Sequence, residues 1–341
     1  MSPSLRAQAL DAERAGNLVN AIDLWAAIAR DDPGTDVEKH LVALRIAAAD
    51  APRATPGSPV AIPPDPFPAT SDSPPETRPD TVNARLLAGA LHHHGSLLVR
   101  SALPRTSVDR LVAAIEHSFA ERAALGEAAD AGSSPWFAPS REWENRAGSS
   151  APVLRAWTAR CNAMLLVDSP RAFRIVTDAL IGTGLVDTVA EYLGERPVLS
   201  AEKTSLRRIP PEARASWHQD GSFMGAETRA VNVWIALTDC GTGTDAPGLH
   251  VVPRRVESIV PFGTDGNLHS ITVSPEHVRG AQGSVDPCTP FFAAGDALVF
   301  DQLLLHATGG EVEGLTRPRL AIEAWLLAPS TFPDAYVPVY L

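Results

Sequence analysis

Trp217-His218-Gln219-Asp220 is the stretch of this 341-residue chain that carries the most chemistry. His218 and Asp220 are separated by one residue, so on an extended strand both side chains leave by the same face. An imidazole and a carboxylate projected together make two legs of a metal site. The third leg is expected from a strand remote in sequence and adjacent in space. His306 meets that description, because it ends the apolar run 297–305 that follows the turn Gly295-Asp296. Two histidines and one carboxylate on one face of an octahedron leave three positions open, which suits Fe(II) with a cosubstrate and O2. Arg319 follows at the start of the next apolar strand. A 2-oxoglutarate cosubstrate chelates iron through its keto acid and needs a cation at its far carboxylate, a role arginine fills bidentately and lysine does not. Arg317 has the same charge and reach; Arg319 is preferred because it abuts the strand.

Other polar residues have plainer readings. Three adjacent histidines, His92-His93-His94, point in three directions on a helix and are read as solvated residues near its negative end. His250, His269 and His277 have no partner at ligand spacing and read as loop or surface residues. Asp301 reads as structural, and Arg254 and Arg255 as a solvated or salt-bridged strand end. Arg141, Arg207 and Arg229 could each meet an anionic substrate, and nothing in the sequence selects among them.

The elements that must position these groups fall into two halves. Short β-rich runs at 198–208, 230–237, 249–252, 258–261, 297–305 and 320–327, separated by turn residues, predict an antiparallel sandwich or barrel, most economically a jelly roll. Before it, 81–99 and 107–125 carry helical patterns with Gly95 as a natural stop between them, and Asp168-Ser169-Pro170 starts another helix. The loop-like stretch 131–150 holds Trp136, Phe137 and Trp143, which suit either a lid over a pocket or anchors in the core. The fold class expected is α+β: a double-stranded β-helix (jelly roll) with flanking helices and an N-terminal helical appendage.

That appendage occupies 1–50. Leu18, Ala21, Ile22, Trp25, Ile28 and Ala29 mark one face of a helix, and the run around them looks like half of a tetratricopeptide-type unit. One such unit cannot bury its own face, so it packs on the main domain, on a twin chain or on a protein partner. Ten of the chain's 30 prolines fall in 51–80, which predicts an extended linker with no helix or strand. Residues 81–341 form the catalytic domain in this reading. A net charge of −11 argues against nucleic-acid or anionic-membrane partners. Three cysteines, Cys161, Cys240 and Cys288, share no metal-like spacing; with no leader-like or long apolar segment they lead us to expect a reducing cytoplasm.

His218-Gln219-Asp220, Asn232-Val233-Trp234, Gly295-Asp296, His306-Ala307-Thr308 and Arg317-Pro318-Arg319 together resemble the phytanoyl-CoA dioxygenase (PhyH) family. The resemblance runs over about 84–329 and is closest to bacterial members with a Ser-Trp-His-Gln-Asp-Gly stretch, as at 216–221. It implies an Fe(II)- and 2-oxoglutarate-dependent oxygenase that uses O2 and acts on a small-molecule substrate, releasing succinate and CO2. It implies His218, Asp220 and His306 as iron ligands and Arg319 as the cosubstrate anchor. It further implies Thr308 and Trp234 beside the cosubstrate, and Lys203 near it. Asp220 stands where halogenating relatives carry a small residue, which disfavours halogenation. The alternative is a cupin-like metal or ligand binder without turnover, acting through its N-terminal helices.

Overall fold

The computed structural model describes residues 4–49, 57–69, 72–125, 134–213, 217–263, 271–309 and 314–341. Three helices open it, α1 (Leu5–Arg14), α2 (Leu18–Asp31) and α3 (Thr35–Ala48). Ser4 and Asn17 cap the first two through their side chains, supplying acceptors for amides that have no partner inside the helix. Ala9, Ala12, Ile22, Trp25, Ala26, Leu41 and Leu44 form their shared core. The opposite face of α3 sends Val42 and Ile46 into the main core of the chain. Of the three destinations open to these helices, the chain's own domain is the one observed.

The proline-rich stretch lies on that domain as well. The Gly57 amide donates to the Gly194 carbonyl at 2.7 Å. Pro63 and Pro66 lie so close to Gly89, in helix α4 (Ala84–His94), that a Cβ there would fall 2.7 Å from a proline carbon. Strand β1 (Glu76–Thr77) pairs in parallel with β2 (Ser96–Val99). The expectation of no strand in 51–80 therefore fails at its end: β1 is an edge position, where the prolines before it remove no ladder hydrogen bond. The histidine cluster departs from its reading too. His94 is 6% exposed and meets Asp65 at 2.9 Å, and His93 meets the Pro63 carbonyl at 3.0 Å.

Helices α5 (Arg105–Leu125), α6 (Arg141–Ala147), α7 (Ala151–Arg160), α8 (Pro170–Gly182) and α9 (Leu185–Leu193) cover one side of a large sheet, with β3 (Ala163–Leu165) between α7 and α8. The sheet continues with β4 (Val198–Ser200), β5 (Ser205–Ile209), β6 (Ala230–Ala236), β8 (Ala297–Asp301), β10 (Arg319–Leu327) and β11 (Pro338–Val339). Its order is β1-β2-β8-β6-β10-β4-β11, with β5 joining β10 to β3. All pairs but the first are antiparallel. A second sheet pairs β7 (Leu249–Val251) with β9 (His306–Thr308) and is widened by single bridges from His218 to His306 and from Val251 to Cys288. Between the two sheets lie Trp234, Phe300, Trp325, Leu249 and Val251. Two short helices interrupt the β half, α10 (Gly221–Met224) and α11 (Pro275–Gln282). No helix among the described residues is long and apolar enough to cross a membrane.

Four expected stretches differ in extent, and the differences at 297–305 and 198–208 shape the site. The helical stretch 81–99 ends at Gly95, in the left-handed region at φ 78°, and becomes β2. The run 297–305 leaves the large sheet at Asp301 and bends, so that His306 opens a strand of the other sheet. The run 198–208 breaks into β4 and β5, both paired to the same edge of β10. Leu199 faces Leu326 and Ser205 faces Glu323, so 200–204 stand opposite only 324–325 and loop out. The run 258–261 forms no strand.

Candidate metal centre

His218 and His306 are locked together by their backbones. Each amide donates to the other's carbonyl, at 2.9 and 3.0 Å, and the two imidazole centroids lie 4.3 Å apart. Val251 pairs with His306 on the other side, so the histidine sits at the centre of the small sheet. Asp220 arrives by a different route from the one its spacing predicts. Its backbone is helical, at φ −67° and ψ −22°, and it starts α10 instead of continuing a strand. That turn fits because residue 221 is glycine: a Cβ there would lie 3.0 Å from the Gln302 carbonyl, which accepts the Gly221 amide. Ligand atoms of His218, Asp220 and His306 all lie within 4.8 Å of one another, and His306 Nε2 is 3.7 Å from Asp220 Oδ2.

The intervening Gln219 holds the turn. Its amide donates to the Leu303 and Ser258 carbonyls at 2.7 and 3.2 Å, and its oxygen accepts from the Val260 amide at 2.7 Å. Side chain 219 thus ties the turn to the bend before His306 and to the 258–260 loop. Nothing in its type or spacing marks it as more than a spacer.

The donor set fits a divalent cation. Asp220 is 4% exposed, and its Oδ2 has no hydrogen-bond partner among the described residues. Burial pushes its carboxyl up to about 6, with the neighbouring His218 opposing that rise. Burial also lowers His306, whose Nδ1 faces the Leu304 carbonyl at 3.0 Å. With Nδ1 turned to that carbonyl, Nε2 is the nitrogen that faces Asp220. A cation would give the orphaned oxygen its partner and favour the ionised carboxylate.

These groups line a cavity of about 310 Å3, to which Arg319, Thr308, Trp234 and Lys203 also contribute. Arg319 is 1% exposed. It donates to the Gly248 carbonyl at 2.7 Å, lies 3.5 Å from Thr308 Oγ1, and rests 5.3 Å from the Trp234 ring. Its Nε has no partner among the described residues, and burial lowers it to about 10. A buried guanidinium with no carboxylate beside it among the described residues is a site prepared for an anion. Arg317, two residues earlier, is exposed and bonded to Asp245 at 2.6 Å, away from the cavity.

Lys203 stands apart from the Arg319 group. The 200–204 loop carries it to Phe223, Tyr336 and Trp157, with Nζ 3.5 Å from the Phe223 ring centroid. Nearby, Arg207 pairs with Glu323 at 3.2 Å. Glu202 accepts from Trp143 Nε1 at 2.7 Å and from the Val337 amide at 3.0 Å. Trp143, at 0% exposure, is therefore a core anchor, and the described part of 131–150 contributes nothing to the cavity wall. That wall comes from α7 and the residues after it, Trp157 to Asn162. Neither Glu202 nor Glu323 stands out by motif, although a lone carboxylate inside the apolar strand β10 is a visible signal for Glu323. His250 meets Thr289 and the Trp217 ring, Asp301 takes the Arg255 guanidinium, and His269 lies outside the described residues.

No family model matches the chain, and no curated protein matches it. Among solved structures it is similar to EctD from S. alaskensis with 2-oxoglutarate and 5-hydroxyectoine, at a TM-score of 0.53 and 18% identity. That match covers 83% of this chain and 86% of the other. The apo form of the same protein matches over the same shares at a TM-score of 0.50 and 18% identity. At that identity the likeness establishes a shared fold.

Proposed function

We propose that this chain is an Fe(II)- and 2-oxoglutarate-dependent oxygenase of the phytanoyl-CoA dioxygenase type, built on a double-stranded β-helix and acting on a small-molecule metabolite. The observation that carries the reading is the joint presence, in one cavity, of the His218, Asp220 and His306 ligand atoms within 4.8 Å and the buried Arg319. A plain metal-binding barrel has no use for that arginine. The shared fold with EctD, whose structure holds 2-oxoglutarate, supports the same reading.

His218, Asp220 and His306 would hold the iron, and Arg319 and Thr308 would take the far carboxylate of 2-oxoglutarate against Trp234. Bound iron, 2-oxoglutarate and O2 supply oxidation of a substrate C–H bond, as hydroxylation, desaturation or ring closure, while the cosubstrate leaves as succinate and CO2. The chain's own residues do the rest. Phe300, Trp325 and Trp234 supply the apolar part of the wall beside the ligands. The reciprocal backbone bonds of His218 and His306, with Gln219 behind them, fix the ligands before any metal arrives. Asp220 would occupy the position a halide would need, which disfavours halogenation. Among the described residues all three cysteines are thiols, which suits a reducing compartment where iron stays Fe(II).

Anaerobic addition of Fe(II) and 2-oxoglutarate is expected to give a weak visible charge-transfer band that is lost in His218→Ala. Admission of O2 with substrate then yields succinate. A protein that binds Fe(II) yet gives no band and never consumes 2-oxoglutarate sinks the reading.

A further inference from the structure

The Lys203 end of the cavity has an unmet requirement. An ammonium carries three donors. Among the described residues Lys203 Nζ makes no hydrogen bond or ion pair; its neighbours are the rings of Phe223, Tyr336 and Trp157. The nearby acceptors are engaged elsewhere. Glu202 is held by Trp143, Val337 and Ser200, and Glu323 by Arg207 and Ser205. Asp220 belongs to the metal set. Burial lowers Lys203, and the fields of Asp220, Glu323 and Glu202 act against that lowering.

The position is also separate from the cosubstrate anchor. Arg319 opens β10, whereas the 200–204 loop stands opposite residues 324 and 325 near its far end. At about 3.3 Å per residue, five or six residues of strand put roughly 16–20 Å between the two backbones. The backbone that carries the cation implied near the cosubstrate by family resemblance thus stands toward the other end of β10 from Arg319.

We propose that Lys203 binds the carboxylate of the substrate, so that the enzyme acts on compact carboxylic acids with an apolar or aromatic body. This rests on the oxygenase reading and adds the substrate class. At this end of the cavity, one uncommitted cation among the described residues matches a monoanion; Arg207 is spent on Glu323, and Arg160 stands at the exposed rim. A phosphate would bring a second negative charge with no partner. The apolar walls beside Lys203, Phe223 and Trp157, suit a hydrocarbon or aromatic body. Volume sets the size, because a cavity of about 310 Å3 is at the low end for small-molecule sites and must also house 2-oxoglutarate.

The test uses the full chain, loaded anaerobically with Fe(II) and 2-oxoglutarate and titrated with a library of compact aliphatic and aromatic carboxylic acids, each paired with its primary amide. Binding is read as perturbation of the charge-transfer band. Acids are expected to bind at least about tenfold tighter than their amides, the factor one charge-assisted hydrogen bond supplies. Lys203→Met removes that preference, Lys203→Arg keeps it, and both retain the band and the affinity for 2-oxoglutarate. Equal binding of acids and amides, or no binding by any acid beside a normal band, overturns the substrate assignment alone. A Lys203→Met variant that keeps the preference overturns it too. Weakened 2-oxoglutarate binding in that variant returns the lysine to the cosubstrate. Absence of the band in the unmodified protein overturns the oxygenase reading and the assignment together.

Discussion

Glu38 and Asp220 are both carboxylates closed off from water, and the fold treats them in opposite ways. Glu38, on α3 and 0% exposed, is met by Arg171 at 3.0 Å and by Arg174 at 3.2 Å. Arg171 reaches on to the Pro33 carbonyl, and Arg174 to Asp178 at 3.7 Å. Every charge at that junction has its complement, and the result is a joint between the N-terminal helices and α8. Asp220 is nearly as buried and keeps an oxygen without a hydrogen-bond partner among the described residues, beside two imidazoles. A buried charge left uncompensated is costly, and a fold retains one where something else completes it. The first carboxylate reads as architecture and the second as an invitation to a cation.

Substitution should separate the two. Asp220→Ala is expected to abolish the Fe(II)/2-oxoglutarate band and lower coupled succinate formation by more than about 100-fold, the upper end of what losing even an outer-shell partner costs. The metal-free protein should lose no stability in urea; a clear loss would make Asp220 structural and erase the contrast. Glu38→Gln should do the reverse, lowering the unfolding free energy by about 3 kcal/mol because the buried Arg174 and the half-buried Arg171 lose their charge partner. Its band should be unaltered, and a variant as stable as the parent would remove the joint.

Smaller effects sharpen the cosubstrate side. Arg319→Lys keeps the charge and loses the fork, so 2-oxoglutarate should bind roughly 30-fold more weakly, about 2 kcal/mol, with Fe(II) affinity unchanged in the absence of cosubstrate. Gln219→Ala frees the turn that carries Asp220, and iron affinity measured by competition with a chelator should drop about tenfold. Arg317→Ala should change 2-oxoglutarate affinity by less than about twofold, since its partner is the exposed Asp245. A larger loss would shift the anchor from Arg319 to Arg317.

Much of the fold is legible in one dimension. Alternation and apolar runs mark 230–237, 249–252 and 320–327, each within a residue or two of the observed β6, β7 and β10. Alternation fails where the chain turns. Ser96–Val99 falls within a stretch read as helical, yet beyond the left-handed glycine that stops the helix it pairs with β8. The apolar run 297–305 does not stay extended, because the Leu303 amide donates to the Asp301 side chain at 2.9 Å and starts the bend toward β9. The proline count describes 51–80 as extended and cannot say that Asp65 and Pro63 are met by His94 and His93.

By itself the sequence determined which chemistry is available: two imidazoles, a carboxylate and two arginines, of the types that hold a divalent cation and an organic diacid. It also determined the local elements, because hydrophobic period and capping act over a few residues. Tertiary structure decided which of these groups meet. Arg317 and Arg319 have the same charge and differ by two positions, yet Asp245 holds one outside while β10 carries the other in. Lys203 reaches its aromatic box only because 200–204 loop out opposite two residues of β10. His218 and His306 share a metal-sized space only because a backbone bridge joins segments far apart in the chain. Such choices rest on strand register and on pairing between distant segments, which no local periodicity encodes.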